Sequence, residues 1–211
     1  MNVAIHIYDH AEDLDWAGPL EVLAAWSGTV DDAHVFTVGD TDQPIQQASG
    51  LRVLVDHTWA TAPPIDVLVI PGGNHFAVAE DESVLTEIRS VAGRGGLVTS
   101  VCTGAFVLLA AGVLTDRPAT THWQWLDNLR SLGVEVRDER FVDAGQVITS
   151  AGVSAGIDMA LHLVARLDSA EKAERIRRYI QYDPTSVALP QQLQCAPWAL
   201  GRFPSQHKDY I

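Results

Sequence analysis

The run Leu97-Val98-Thr99-Ser100-Val101-Cys102-Thr103-Gly104-Ala105-Phe106 decides the fold. Its first half is apolar and rich in β-branched residues, which predicts a buried strand ending at Cys102. A small-residue helical pattern starts at once and runs from Thr103 through Ala111. A side chain on so sharp a strand-to-helix turn points away from both elements. It also meets a helix N-terminus, whose unsatisfied N–H groups and dipole favour negative charge. A thiol there is expected to ionise more easily, and the thiolate is the nucleophilic form. The pattern Ser-x-Cys-x-Gly is similar to the nucleophile elbow of hydrolases, with Ser100 in place of the first glycine and Cys102 in place of the serine. The same stretch also reads as a core strand ending in a small buried thiol.

Working outward, Val3 to Tyr8 predicts a first strand. Asp15-Trp16-Ala17-Gly18-Pro19 reads as a loop into a helix carrying Leu20, Val22, Leu23 and Trp26, with Pro19 in its first turn. His34 to Val38 is a second strand, and Gln46 to Val55 a short hairpin turning at Ser49-Gly50. Asp66 to Ile70 is a continuous apolar run that ends in Pro71-Gly72-Gly73. Helices follow over Glu82 to Ala92 and over Trp123 to Leu132, the latter closed by Gly133. Val134 to Val136 and Phe141 to Ile148 read as strands, the second turning at Ala144-Gly145. The last helices run over Val153 to Leu167 and from a Ser169 cap to about Tyr182. Strands alternating with helices predict an α/β fold: a doubly wound, mostly parallel sheet with helices on both faces and one small β-hairpin. Residues 1–183 form the expected domain, and 184–211, rich in Pro, Gln and Trp, a tail packing on that domain or on a partner subunit.

The chain has 211 residues, enough for one such domain, and 47% hydrophobic residues, ample for a core. No apolar run is long enough to span a bilayer, and no N-terminal signal is visible, so a cytoplasmic protein without membrane contact is expected. Net charge is −13, from 27 acids against 14 bases, which argues against nucleic acid as a partner. The only lysines are Lys172 and Lys208. Such a surface fits either a high-salt cell interior or a lysine-poor genome. Two cysteines, Cys102 and Cys195, do not make a disulfide scaffold, and Cys195 carries no motif.

Open α/β sheets bind ligands at the carboxyl ends of their strands. Three pieces fall there: the Asp15 loop, Gly72-Gly73, and Cys102-Thr103. Asp15 is either a carboxyl that relays a proton to the thiol or a helix cap. Gly72 and Gly73 offer backbone N–H groups to a developing negative charge, or simply form a tight turn. His75 and His122 are the histidines best placed to pair with a cysteine. The candidate site is therefore Cys102 and Asp15 for catalysis, with Gly72, Gly73, Thr103, His75, Trp16 and Val153 binding substrate or oxyanion. An apolar pocket lined by residues such as Trp16, Phe76 or Val153 is expected. No zinc-type ligand spacing, dinucleotide fingerprint or P-loop is present, so no metal or organic cofactor is called for.

Taken together, these pieces resemble the DJ-1/PfpI (ThiJ/PfpI) superfamily. The likeness rests on Asp15-Trp16-Ala17-Gly18-Pro19-Leu20-Glu21-Val22, Ile70-Pro71-Gly72-Gly73, Thr99 to Ala105, Ala119-Thr120-Thr121-His122-Trp123 and Ala151 to Asp158. It covers about residues 3 to 182. It implies a flavodoxin-like fold, usually a homodimer with the cysteine near a subunit boundary. Within the superfamily the pairing of Cys102-Thr103 with Leu14-Asp15-x-x-Gly18-Pro19 is similar to the isocyanide hydratases. That likeness implies a lyase in which the Cys102 thiolate attacks the isocyanide carbon of a small-molecule substrate. Asp15 protonates that carbon, and water releases an N-substituted formamide from the thioimidate. The same motifs occur in regulators of the AraC type, which continue into a DNA-binding domain; this chain stops at Ile211, and its acidity speaks against DNA contact. Protease and glyoxalase-like members usually carry His directly after the cysteine, where this chain has Thr103. An oxidant sensor or binding protein, and an amidase or deglycase acting through His75 or His122, are the alternatives.

Overall fold

The computed structural model describes residues 1–183. The chain runs β1 (Asn2–His6), α1 (Asp13–Ser27), β2 (His34–Gly39), β3 (Ile45–Gln46), β4 (Arg52–Val53), β5 (His57–Thr58) and β6 (Val67–Ile70). It continues through α2 (His75–Glu80), α3 (Glu82–Gly93), β7 (Leu97–Val101), α4 (Gly104–Ala110), a 3-10 turn (Trp123–Trp125) and α5 (Leu126–Ser131). It ends in β8 (Phe141–Asp143), β9 (Val147–Ser150), α6 (Ala155–Leu167) and α7 (Ala170–Tyr179). The tail 184–211 and Cys195 lie outside the described residues.

Seven strands form one sheet in the order β5-β2-β1-β6-β7-β9-β8, and β3 pairs with β4 in a separate antiparallel hairpin. Every pairing in the large sheet is parallel except β8 with β9. The central strands are covered on both faces, which is why Val3-Ala4-Ile5 and Val67-Leu68-Val69-Ile70 are apolar at successive positions and inaccessible. Helices α1, α6 and α7 pack together on one face, and α2, α3 and α4 on the other. The fold is thus the flavodoxin-like, mostly parallel sheet with a small hairpin that the sequence predicts. Chain order reverses between β1 and β6, so the loops leaving these strands diverge and open a crevice at their carboxyl ends.

Four details differ from the sequence reading. Helix α1 begins at Asp13, so Asp15 lies inside the helix and Pro19 in its interior. Pro19 removes one helical hydrogen bond, but its neighbourhood is built for close approach. A Cβ on Gly18 would stand 3.1 Å from Ile157 of α6, and one on Gly156 would stand 3.1 Å from Pro19 Cγ. Val134 to Val136 is no strand; only an isolated bridge joins Val136 to Ala119. Strand β5 and helix α2 are additions, both too short to leave a periodic signal. Finally, α6 starts at Ala155, and Val153 belongs to the turn before it, at φ 50°.

A very tight backbone contact lies at Gly104, the first residue of α4. A Cβ there would collide with the Ile70 carbonyl oxygen and stand 2.8 Å from that of Pro71. Neither backbone group can swing aside. Gly104→Ala is therefore expected to cost at least about 2 kcal/mol, read as a lowered urea midpoint at unchanged slope. A midpoint equal to wild type would mean that α4 can slide.

Candidate active site

Cys102 leaves β7 in the left-handed conformation, at φ 57°. A non-glycine residue adopts that backbone at a cost, and such strain persists only where surrounding bonds over-determine it. The bonds are present. The Cys102 N–H donates to the Ser150 and Ala151 carbonyls at 3.2 and 3.1 Å. The Thr121 hydroxyl donates to the Cys102 carbonyl at 2.7 Å. The Ser150 hydroxyl donates to the Ser100 carbonyl at 3.0 Å. The elbow read from Ser-x-Cys-x-Gly is thus held from β9 on one side and from the segment before the 3-10 turn on the other.

Asp15 comes to this elbow from α1. It is fully buried, and its Oδ2 accepts the Gly72 N–H at 2.9 Å. Oδ1 has no hydrogen-bond partner of normal geometry. The Cys102 thiol and the Val153 N–H act on the carboxyl more loosely, each favouring its ionised form. Burial outweighs these bonds and, with the charge of Glu12, pushes the Asp15 pKa up to about 8. The carboxyl is therefore largely protonated at neutral pH, with Oδ1 as the oxygen placed to carry the proton.

The thiol behaves opposite to the sequence expectation. Burial pushes the Cys102 pKa well above its usual value, and the charges of Asp15 and Glu12 push the same way. The N–H and hydroxyl of Thr103 stabilise the thiolate but do not win. A helix N-terminus favours an anion, but two neighbouring carboxyls and loss of water oppose it more strongly. Cys102 rests as a thiol that ionises only as it reacts.

A pocket of about 240 Å3 opens over the sulfur, lined by residues that include Cys102, Thr103, Gly73, Val153, Glu12 and His122. Its walls mix polar and apolar groups, and of the apolar lining expected from sequence only Val153 is present. Several site assignments change with it. Trp16 is buried in the core and lines no part of the pocket. Phe76 is half exposed and also stands outside the lining. His75 is buried beneath the pocket, its ring 5.1 Å from that of Phe106 and 5.4 Å from that of Trp125. Its Nδ1 lies 3.3 Å from the Gly73 carbonyl, and burial lowers its pKa, so it serves packing rather than substrate. The Gly72 and Gly73 N–H groups are not bare: the first donates to Asp15 and the second to the Thr103 hydroxyl at 3.1 Å. These bonds hold the Pro-Gly-Gly turn against the elbow. A Cβ on Gly72 would stand 2.7 Å from both Asp15 Oδ2 and Thr103 N, so the close approach needs glycine.

His122 does reach the pocket. Its Nδ1 accepts the Gln124 N–H at 3.3 Å, which leaves the ring proton on Nε2. Burial lowers its pKa, so it is neutral and a donor. A Cβ on Gly152 would overlap this ring, which explains the glycine there. Sequence reasoning missed Glu12 altogether: it sits in the turn before α1 without any motif around it. Among the described residues no group of three or more His, Cys, Asp or Glu side chains is arranged to hold a metal. No helix among them is long and apolar enough to cross a membrane.

Fold and elbow together define a flavodoxin-like α/β protein with a cysteine presented at the carboxyl end of β7, beside the switch point of its sheet. The chain belongs to the DJ-1/PfpI family, which matches residues 1–166. It is 36% identical over 185 residues to an isonitrile hydratase of Pseudomonas putida, covering 87% of this chain and 79% of that protein. It is 29% identical over 146 residues to a glutathione-independent glyoxalase of Caenorhabditis elegans, covering 68% of this chain and 78% of that one. A ThiJ/PfpI family protein from Pseudomonas syringae superposes with a TM-score of 0.82 at 31% identity, covering 94% and 82% of the two chains.

Proposed function

We propose that the protein is a cofactor-independent cysteine enzyme that hydrates isocyanides to N-substituted formamides. One observation carries the reading: a sealed carboxyl, protonated near neutral pH, set beside an elbow cysteine. An isocyanide carbon must gain both a nucleophile and a proton, and this pair supplies both. Cys102 Sγ bonds to the terminal carbon while Asp15 Oδ1 delivers its proton to the same atom. The thiol's own proton replaces on Asp15 the one delivered, and a thioimidate results. Water then adds to the thioimidate carbon, the C–S bond breaks, and the formamide leaves. The likeness to isonitrile hydratase supports the choice of substrate.

The catalytic pair is Cys102 and Asp15, with Thr103, Gly73 and Val153 shaping the pocket, all within a domain of residues 1–183. A homodimer is proposed as the working unit. Its support is three exposed leucines: Leu14 on α1, and Leu51 and Leu54 on or beside the hairpin whose turn Ser49 ties to Asp13 of α1 at 2.6 Å. The test is production of formamide from cyclohexyl or aryl isocyanide, followed by mass spectrometry. Steady formation with a transient adduct on Cys102 supports the reading. Folded protein that leaves the isocyanide untouched removes it. An oxidant sensor is less well supported, because a buried thiol with a raised pKa is slow to oxidise.

A further inference from the structure

Hydration has two halves, and the pair described above serves only the first well. Releasing the formamide requires a water to lose a proton as it attacks the thioimidate. Asp15 is poorly suited to take that proton: after the first half-reaction it again carries one, taken from the thiol, and its buried surroundings hold that proton in place. His122 faces the pocket but presents a protonated Nε2 there, a donor rather than a base. His10 also lines the pocket, its Nε2 engaged by the Asp9 carboxylate at 3.5 Å.

Glu12 remains. It is half-buried and lines the same pocket as the Cys102 sulfur. Its backbone is fixed on both sides: its N–H donates to the Gly72 carbonyl at 3.0 Å, and its carbonyl accepts the Asp15 N–H at 3.1 Å. A Cβ on Gly73 would stand 2.6 Å from its nitrogen, so the residue is wedged against the turn that touches the elbow. Its charge acts on both Cys102 and Asp15.

We propose that Glu12 is the general base of the second half-reaction, the carboxylate that takes a proton from the water attacking the cysteine-bound intermediate. The oxygen of that water bonds to the thioimidate carbon while Glu12 takes one proton and passes it to the nitrogen. The remaining hydroxyl proton goes to sulfur as the C=O bond forms and the C–S pair returns to Cys102. The assignment rests on covalent chemistry at Cys102 but not on the identity of the substrate.

The experiment separates the two. p-Nitrophenyl acetate forms a thioester on Cys102 whose hydrolysis needs the same water and no isocyanide. Wild type and Glu12→Gln are acylated, and clearance of the acetyl group is followed by intact mass. The variant is expected to melt close to wild type, to acylate at Cys102, and then to clear about 100-fold more slowly. With isocyanide the same variant should accumulate the thioimidate. A Glu12→Gln acyl-enzyme that clears at the wild-type rate overturns the assignment. Wild type that clears the acetyl group faster than the variant, yet makes no formamide, leaves Glu12 its role and discards only the isocyanide.

Discussion

Cys102→Ala is expected to make no formamide from cyclohexyl isocyanide, a loss of at least about a thousandfold, while melting close to wild type. The structural side of the expectation is specific. The cysteine side chain is small and 8% exposed, so truncation leaves a cavity little larger than one sulfur atom. The elbow backbone is held by bonds to main-chain atoms of residue 102, which alanine keeps intact. Alanine tolerates the left-handed backbone no better than cysteine, so the strain is unchanged. Activity and stability are therefore separable at this position. Turnover in a folded Cys102→Ala protein would remove the sulfur from the mechanism. A large drop in melting temperature would mean that the thiol is structural.

Asp15→Asn is the second large effect. Asparagine can still accept the Gly72 N–H, so the turn keeps its anchor, but it has no acidic proton to deliver. A rate loss of about 100-fold or more is expected. The pH dependence gives an independent signature. Wild-type turnover should fall as pH rises through about 8, because the acid form of Asp15 disappears there. The variant should lack that limb. Stability follows the same proton. The ordinary value for Asp is 3.8 and the folded value about 8, so between them the folded protein holds a proton that the unfolded chain has released. Stability from this group is complete below about pH 4 and is lost as pH rises through 8. Melting temperatures of wild type should thus fall between about pH 4 and 8 more steeply than those of Asp15→Asn, with the extra slope gone above pH 8. Parallel curves would mean that Asp15 titrates normally, and the reading of it as an acid would go with that.

Much of this fold was legible because parallel strands covered on both sides must be apolar throughout. Val67 to Ile70 carries that signature fully, and Leu97 to Val101 carries it interrupted by Thr99 and Ser100. Helix α2 and strand β5 were not legible, since six and two residues are too few to establish a period. At the candidate site, Cys102 and Asp15, which the structure brings together, were legible because each ends or opens a strong local pattern. Trp16 was misplaced for a simple geometric reason. With α1 starting at Asp13, neighbouring residues point about 100° apart on the helix, so Trp16 cannot share the direction that takes Asp15 to Gly72. His75 was misread because its burial depends on Phe106 and Trp125, residues distant in sequence. Glu12 left no trace because its proximity to Cys102 exists only once β1, β6 and β7 lie side by side.

Three non-glycine residues of the pocket, His10, Cys102 and Val153, hold left-handed backbones at φ 60°, 57° and 50°. A lineage drifting under selection for stability alone would replace them with glycine, which occupies that region without steric cost. Cys102→Gly would then be a more heat-resistant protein and an inert one. A cysteine in that backbone costs the fold some resilience and sets one sulfur atom at the pocket. Families of such chains should therefore split visibly, with members that have abandoned chemistry relaxing at this elbow first.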